Sequence, residues 1–155
     1  MKATEKLAYK KQLLQACMDI IGKRIELSSL AMKNAQDAAN AEDKSSAGDK
    51  YETSRAMSHL DKDMYARQLA SNKAELAQLH TIDCGRLYTI ATHGSLVECN
   101  DVTFFIAAGL GKISVNGKNI FMLSPQAAMA KSLSGKKEGD IVKFNNKEFI
   151  IVRIY

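Results

Sequence analysis

Three carboxylates, Glu42, Asp43 and Asp49, fall within one short polar stretch, and Glu52 follows three residues after Asp49. Clustered carboxylate oxygens suit a hard divalent cation such as Mg²⁺. That ion usually takes only one or two protein carboxylates and leaves its other positions to water or substrate. Such a cluster on an exposed loop would form an open site, completed by a partner. The same residues also fit a plain helix start, with Asp49 as the N-cap and Glu52 closing a capping box. Both readings are compatible with the spacing.

Little else in the chain has catalytic spacing. His59, His80 and His93 are scattered, and the three cysteines (Cys17, Cys84, Cys99) never form a CxxC pair. His80 and Cys84 are four apart, but structural zinc normally needs four ligands. The chain contains no phosphate-binding loop of the GxxxxGK type, no HExxH and no GxSxG. Gly109-Leu110-Gly111 leads into a strand pattern and not into the helix that a phosphate cradle requires. An odd number of unpaired thiols predicts reduced cysteines and a cytoplasmic protein.

The 155 residues are 46% hydrophobic and 25% charged, with a formal net charge of +5, one Pro and no Trp. This balance excludes collagen-like, disordered and disulfide-framework classes. No apolar run nears the ~20 residues that span a bilayer, so no membrane association and no signal peptide are expected. The positive charge is spread along the chain without long blocks, so charge alone does not indicate nucleic-acid binding.

The elements that would position the acids are two long helices. Leu7, Leu14, Met18, Ile21, Ile25, Met32, Ala35 and Ala39, with Ser28 as the polar member, lie on one stripe at spacings of three, four and seven, predicting an amphipathic helix over about 4–39. A second helix is expected over about 50–79, with Met57, Leu60, Met64, Leu69, Leu76 and Leu79 on its buried face. Residues 40–49 between them carry the turn chemistry. A short loop between long helices predicts an antiparallel coiled-coil hairpin, a rod of roughly 50 Å at 1.5 Å per residue, with the acids at its tip.

The pattern changes near Thr81. Strands are expected at 86–92, 95–99, 102–107, 112–115, 118–123, 141–144 and 148–154, with Asn116-Gly117 as a two-residue hairpin turn. Ser124 and Pro125 predict the N-cap and first residue of a short helix over 126–133, and Gly135 its end. The fold class is therefore α+β, with a helical hairpin over 1–81 and a small antiparallel sheet domain carrying one short helix over 82–155.

The segment from Ile120 through Ser124-Pro125, Ala130-Lys131-Ser132-Leu133 and Gly135-Lys136-Lys137-Glu138-Gly139-Asp140 resembles the carboxyl-terminal signature of bacterial Gre transcript-cleavage factors. Tyr51 and Arg55 are similar to a Tyr and an Arg at the start of that family's second helix. The resemblance implies an FKBP-like carboxyl domain and a monomer that binds RNA polymerase on the transcription complex, with its coiled-coil tip in the secondary channel. It implies that Ser124, Pro125, Lys136, Lys137 and Asp140 lie in the polymerase-docking region. It further implies no active site of the chain's own. Tip acids would help to hold an Mg²⁺ shared with the polymerase, which cleaves backtracked RNA near its 3′ end. Counted back from Tyr51, the family's two acidic positions fall on Lys44 and Ala47. A one-residue insertion brings Asp43 to the first of them, with Ser46 at the second.

Other classes of function stay open beside this one. A factor with an altered tip could occupy the channel and inhibit without stimulating cleavage. An FKBP-like fold could act as a peptidyl-prolyl isomerase, which needs an apolar, aromatic-rich pocket. The aromatic residues of the second half instead alternate along strands, as core residues do. A coiled-coil adaptor or homodimer is the third class, to be recognised by exposed apolar stripes on the hairpin.

Overall fold

The computed structural model describes residues 1–43 and 48–155, and of 42–43 and 48–51 it describes the backbone only. The order of elements is α1 (Ala3–Asp43), α2 (Gly48–His80), β1 (Leu96–Cys99), β2 (Thr103–Ile106), β3 (Gly111–Val115), β4 (Lys118–Leu123), α3 (Ala128–Leu133), β5 (Ile141–Phe144) and β6 (Lys147–Ile154). The expected α+β class holds: long helices come first, then a mostly antiparallel sheet with one short helix. None of the helices, among the described residues, is long and apolar enough to cross a membrane.

Two compact units divide the chain. One joins Met1–Asp19 to Ala77–Tyr155, and the other is Ile20–Leu76. The change of periodicity near Thr81 therefore marks where helix gives way to strand, while the first turns of α1 belong with the sheet. Cys17 Sγ lies 3.6 Å from Met122 Sδ, and Leu13, one helical turn before Cys17, is fully buried.

The sheet runs β3-β4-β2-β1-β6-β5. β2 and β4 pair in parallel, against the expectation of an all-antiparallel sheet, because the β3–β4 hairpin folds back so that β4 inserts beside β2 and β3 becomes an edge. Asn116 and Gly117 turn that hairpin with φ of 53° and 77°, the left-handed conformation that a two-residue type I′ turn requires. Asn145 and Asn146 do the same between β5 and β6, with φ of 51° and 63°.

Successive residues of β2 face opposite sides, and both sides are covered. Phe104 and Ile106 join Val97, Met129, Leu133, Val142 and Ile151 in the core on the α3 side. Phe105, between them, is also fully buried. This two-sided cover explains the nearly continuous apolar run of β2.

Two expected elements differ. Residues 86–92 form no strand; only Ile90 makes an isolated bridge, to Lys137, while Ala91 exchanges hydrogen bonds with Gly135 and Lys136. The helix expected over 126–133 begins at Ala128, with Ala127 as its N-cap and no side-chain cap. Ser124 and Pro125 shape the preceding turn instead, in which the Ala127 amide donates to the Ser124 carbonyl at 3.0 Å. Gly135 follows the helix with φ of 77°, as expected.

In the Ile20–Leu76 unit the two helices meet along a partly polar seam. Asn72 Nδ2 donates to Ser28 Oγ at 3.3 Å, and Ser28 is buried. Tyr65, Leu69 and Leu76 are half-buried on the Asn72 face of α2, whereas Met57, Leu60 and Met64, expected inside, are exposed. The expected stripe thus holds in the second half of α2, where Leu79 is fully buried, and is displaced by about one residue in the first half.

Candidate functional site

The segment 124–140 leaves β4, turns, forms α3 and turns again into β5. The Gln126 amide donates to Ser124 Oγ at 3.3 Å, and that hydroxyl donates to Gln126 Oε1 at 2.6 Å, so the Ser124 hydroxyl is occupied in holding the first turn. Pro125 is half-buried. Asp140 Oδ2 accepts the Lys137 amide at 2.9 Å and closes the second turn, and Glu138 Oε1 accepts the Ile154 amide at 3.2 Å. Both acids thus serve local structure, whereas Lys136 and Lys137 are exposed and carry two adjacent positive charges outward.

Beside this segment lies an apolar cavity of ≈ 700 Å³. Its walls are Val102, Phe104, Phe121, Leu123, Met129, Phe144 and Phe149, and Asp101, Lys147 and Glu148 bring polar groups to it. Phe104 and Phe149 meet edge to face at 5.6 Å between centroids, and Phe104 and Phe121 are tilted at 6.1 Å. Phe121 is 37% exposed. These aromatics do belong to the core, Phe104 within it and Phe144 and Phe149 packed against it, and together with Phe121 they also line an open cavity of the size that takes small molecules or peptide side chains. Strand alternation shows which face a residue occupies. It does not show whether that face closes over it.

The hairpin residues are placed as follows. Glu42 and Asp43 belong to the last turn of α1, and Asp49 and Tyr51 to the first turn of α2. Asp49 is thus inside the helix and not the residue that precedes it. The side chains of Glu42, Asp43, Asp49 and Tyr51 lie outside the described residues, as do Lys44 and Ser46 entirely. Arg55 stands two turns into α2 and is exposed. Among the described residues no group of His, Cys, Asp or Glu could hold a metal ion.

A residue that the sequence pattern does not single out is Lys10. It is fully buried, its Nζ donates to the Arg86 carbonyl at 3.0 Å, and it stands 4.5 Å from the centre of the Tyr88 ring. Burial pulls its pKa down to about 8, against the smaller opposing pull of Cys84 and Asp83. Lys10 therefore clasps α1 to residues 86–88, which takes them out of the sheet. Tyr155 is similarly buried. Its hydroxyl donates to Glu98 Oε1 at 2.6 Å, while Arg153 pairs with the other oxygen of Glu98 at 3.0 Å.

No family model and no curated protein matches the sequence. A solved structure of the transcription factor Gfh1 aligns with 89% of this chain and 92% of its own, at 17% sequence identity and a TM-score of 0.38.

Proposed function

We propose that this chain is a Gre-type regulator of transcription elongation that binds RNA polymerase. The observation that carries the reading is the 124–140 segment. It resembles the Gre carboxyl-terminal signature in sequence, and it folds as a turn–helix–turn that leaves Lys136 and Lys137 exposed. The layout of long helices followed by a sheet unit supports it. The chain has no active site of its own in this reading. It acts through the polymerase, whose metal-bound centre supplies the activated water and leaving-group stabilisation of phosphodiester hydrolysis. Asp43 is the tip carboxylate closest to a family position, with Glu42 and Asp49 as acidic neighbours. Because Lys44 and Ala47 stand at the uninserted acidic positions, occupation of the channel without cleavage is the other outcome within this reading.

The test is capture of the purified chain by the cognate core polymerase, followed by RNA cleavage on a backtracked complex with Mg²⁺. Binding together with cleavage that Asp43→Asn abolishes assigns the tip a metal-holding role. Binding without cleavage assigns a channel-occupying regulator. Absence of binding rejects the proposal.

The phenylalanine-lined cavity favours a second reading, recognition of an apolar peptide in the manner of a prolyl isomerase. Turnover of a proline-containing test peptide, lost on Phe149→Ala, would support it.

A further inference from the structure

The α2 helix carries a second heptad series on the side away from its Ser28-facing seam. Ala56, Leu60, Asp63, Arg67, Ala70 and Ala74 follow one another at spacings of four, three, four, three and four, and every one of them is exposed. Leu60 is 66% exposed. At 100° per residue this series is a single stripe, centred about half a turn from Tyr65. Leu60, Asp63, Ala66, Arg67 and Ala70 line one shallow groove of ≈ 540 Å³ along it. The stripe combines Leu60 and three alanines with one acidic and one basic residue, and all six side chains are exposed.

We propose that this groove is the contact surface of a weak, two-fold symmetric dimer in which α2 packs antiparallel against α2 of a second copy. The stripe is complementary to itself when reversed. With the symmetry axis at the level of Tyr65, Leu60 lies over Ala70 of the second copy, and Ala56 lies over its Ala74. The large residue thus meets the small one on both sides. In the same register Asp63 faces Arg67 of the second copy, and Arg67 faces its Asp63, so two opposite-charge pairs flank the centre. A parallel pairing in register would instead set Asp63 against Asp63, Arg67 against Arg67 and Leu60 against Leu60. The charges therefore favour the antiparallel direction over the parallel one, as polar residues within coiled-coil seams do. With one large apolar residue per copy in the seam, Leu60, the dimer belongs to the transient class of interfaces. It rests on α2 alone and stands or falls independently of the polymerase reading.

Sedimentation equilibrium of the full chain, from about 5 to 500 μM, tests it. A transient interface predicts a mass that rises from 17.0 kDa toward twice that value, with a midpoint at roughly 10–100 μM. Asp63→Arg and Arg67→Asp each place like charges together at both pairs, so each variant alone should stay monomeric over the whole range. Mixed in equal amounts, the two variants should associate at least as well as the parent, because each pair then joins opposite charges. The mixture also shows that neither variant has failed to fold. A parent that keeps the monomer mass at 500 μM overturns the proposal. So does association of both single variants at parental strength, or a mixture that remains monomeric.

Discussion

The two units differ in what lies beneath their exposed apolar residues. In the unit built around the sheet, both neighbours in the Phe104-Phe105 pair are buried, one on each side of β2. In the helical unit Ser28 and Asn72 meet at the seam, while Leu27, Leu30, Met57, Leu60 and Met64 are exposed. Burying apolar area is the main stabilising force in folding. Large apolar residues are exposed in both units, Ile90, Ile141, Ile150 and Val152 in the sheet unit among them, but the sheet unit sets them around a two-sided apolar core, whereas the two helices meet along a partly polar seam.

The sharpest way to break this comparison is a matched pair of truncations. Leu133→Ala, in the core under α3, should lower unfolding free energy by about 3 kcal/mol, through lost transfer energy and a residual cavity. Leu60→Ala, on the exposed face of α2, should change it by no more than about 0.5 kcal/mol at low protein concentration. Urea denaturation of both variants is the check, and equal losses would contradict the contrast. Next in size is Tyr155→Phe. It removes a 2.6 Å hydrogen bond to the Glu98 carboxylate and should cost about 1.5–3 kcal/mol in the same measurement.

The sheet unit should also respond to alkaline pH. Burial raises the pKa of Cys17 from 9.0 to about 12 and that of Cys99 to about 11. The unfolded chain releases those protons first, so their contribution is present below pH 9 and is lost as pH rises toward 11–12. Lys10 has the opposite sign. Its folded pKa of about 8 lies below the ordinary 10.5, so the unfolded chain keeps the proton longer and stability is gained between pH 8 and 10.5. Denaturation midpoints from pH 7.5 to 10.5 should therefore fall more steeply for Lys10→Met than for the parent. Parallel curves would show that Lys10 does not titrate in this window.

The smallest effect concerns the seam. Replacing Ser28 and Asn72 together by Ala and Leu removes both partners of one hydrogen bond and fills the space with apolar volume. It should be neutral or stabilising by up to about 1 kcal/mol. A loss above that figure would make the polar seam a source of stability.

Much of the fold was legible in the sequence because its signals are local. Helical spacing brought out α1 and α2, alternation brought out all six strands, and Asn116-Gly117 supplied the conformation of its turn. What escaped depends on partners distant in sequence. Residues 86–92 alternate like a strand, yet the Arg86 carbonyl is taken by Lys10, 76 positions away. The buried stripe of α2 takes Leu69, Leu76 and Leu79 as their spacing predicts but passes through Tyr65 and Asn72, opposite Ser28 on α1, and leaves Met57, Leu60 and Met64 outside. The cavity was hidden for the same kind of reason. Phe104, Phe121, Phe144 and Phe149 each sit at a core-facing strand position, and only the assembled sheet leaves them open to one side. Of the site residues, Asp140 and Ser124 proved to be turn formers, a role that Asp and Ser commonly fill.

The central claim, that this chain works on RNA polymerase, is tested most directly by binding of the intact protein to the cognate core enzyme. Removal of 1–81 is a poor test, since it would strip Lys10, Leu13 and Cys17 from the sheet unit. The better comparison is the parent with Lys136→Glu/Lys137→Glu, both exposed positions, by fluorescence anisotropy of labelled protein against polymerase. Saturable binding by the parent, weakened about tenfold or more in the double variant with an unchanged denaturation midpoint, is the predicted result. No saturable binding by the parent at micromolar polymerase would contradict the account.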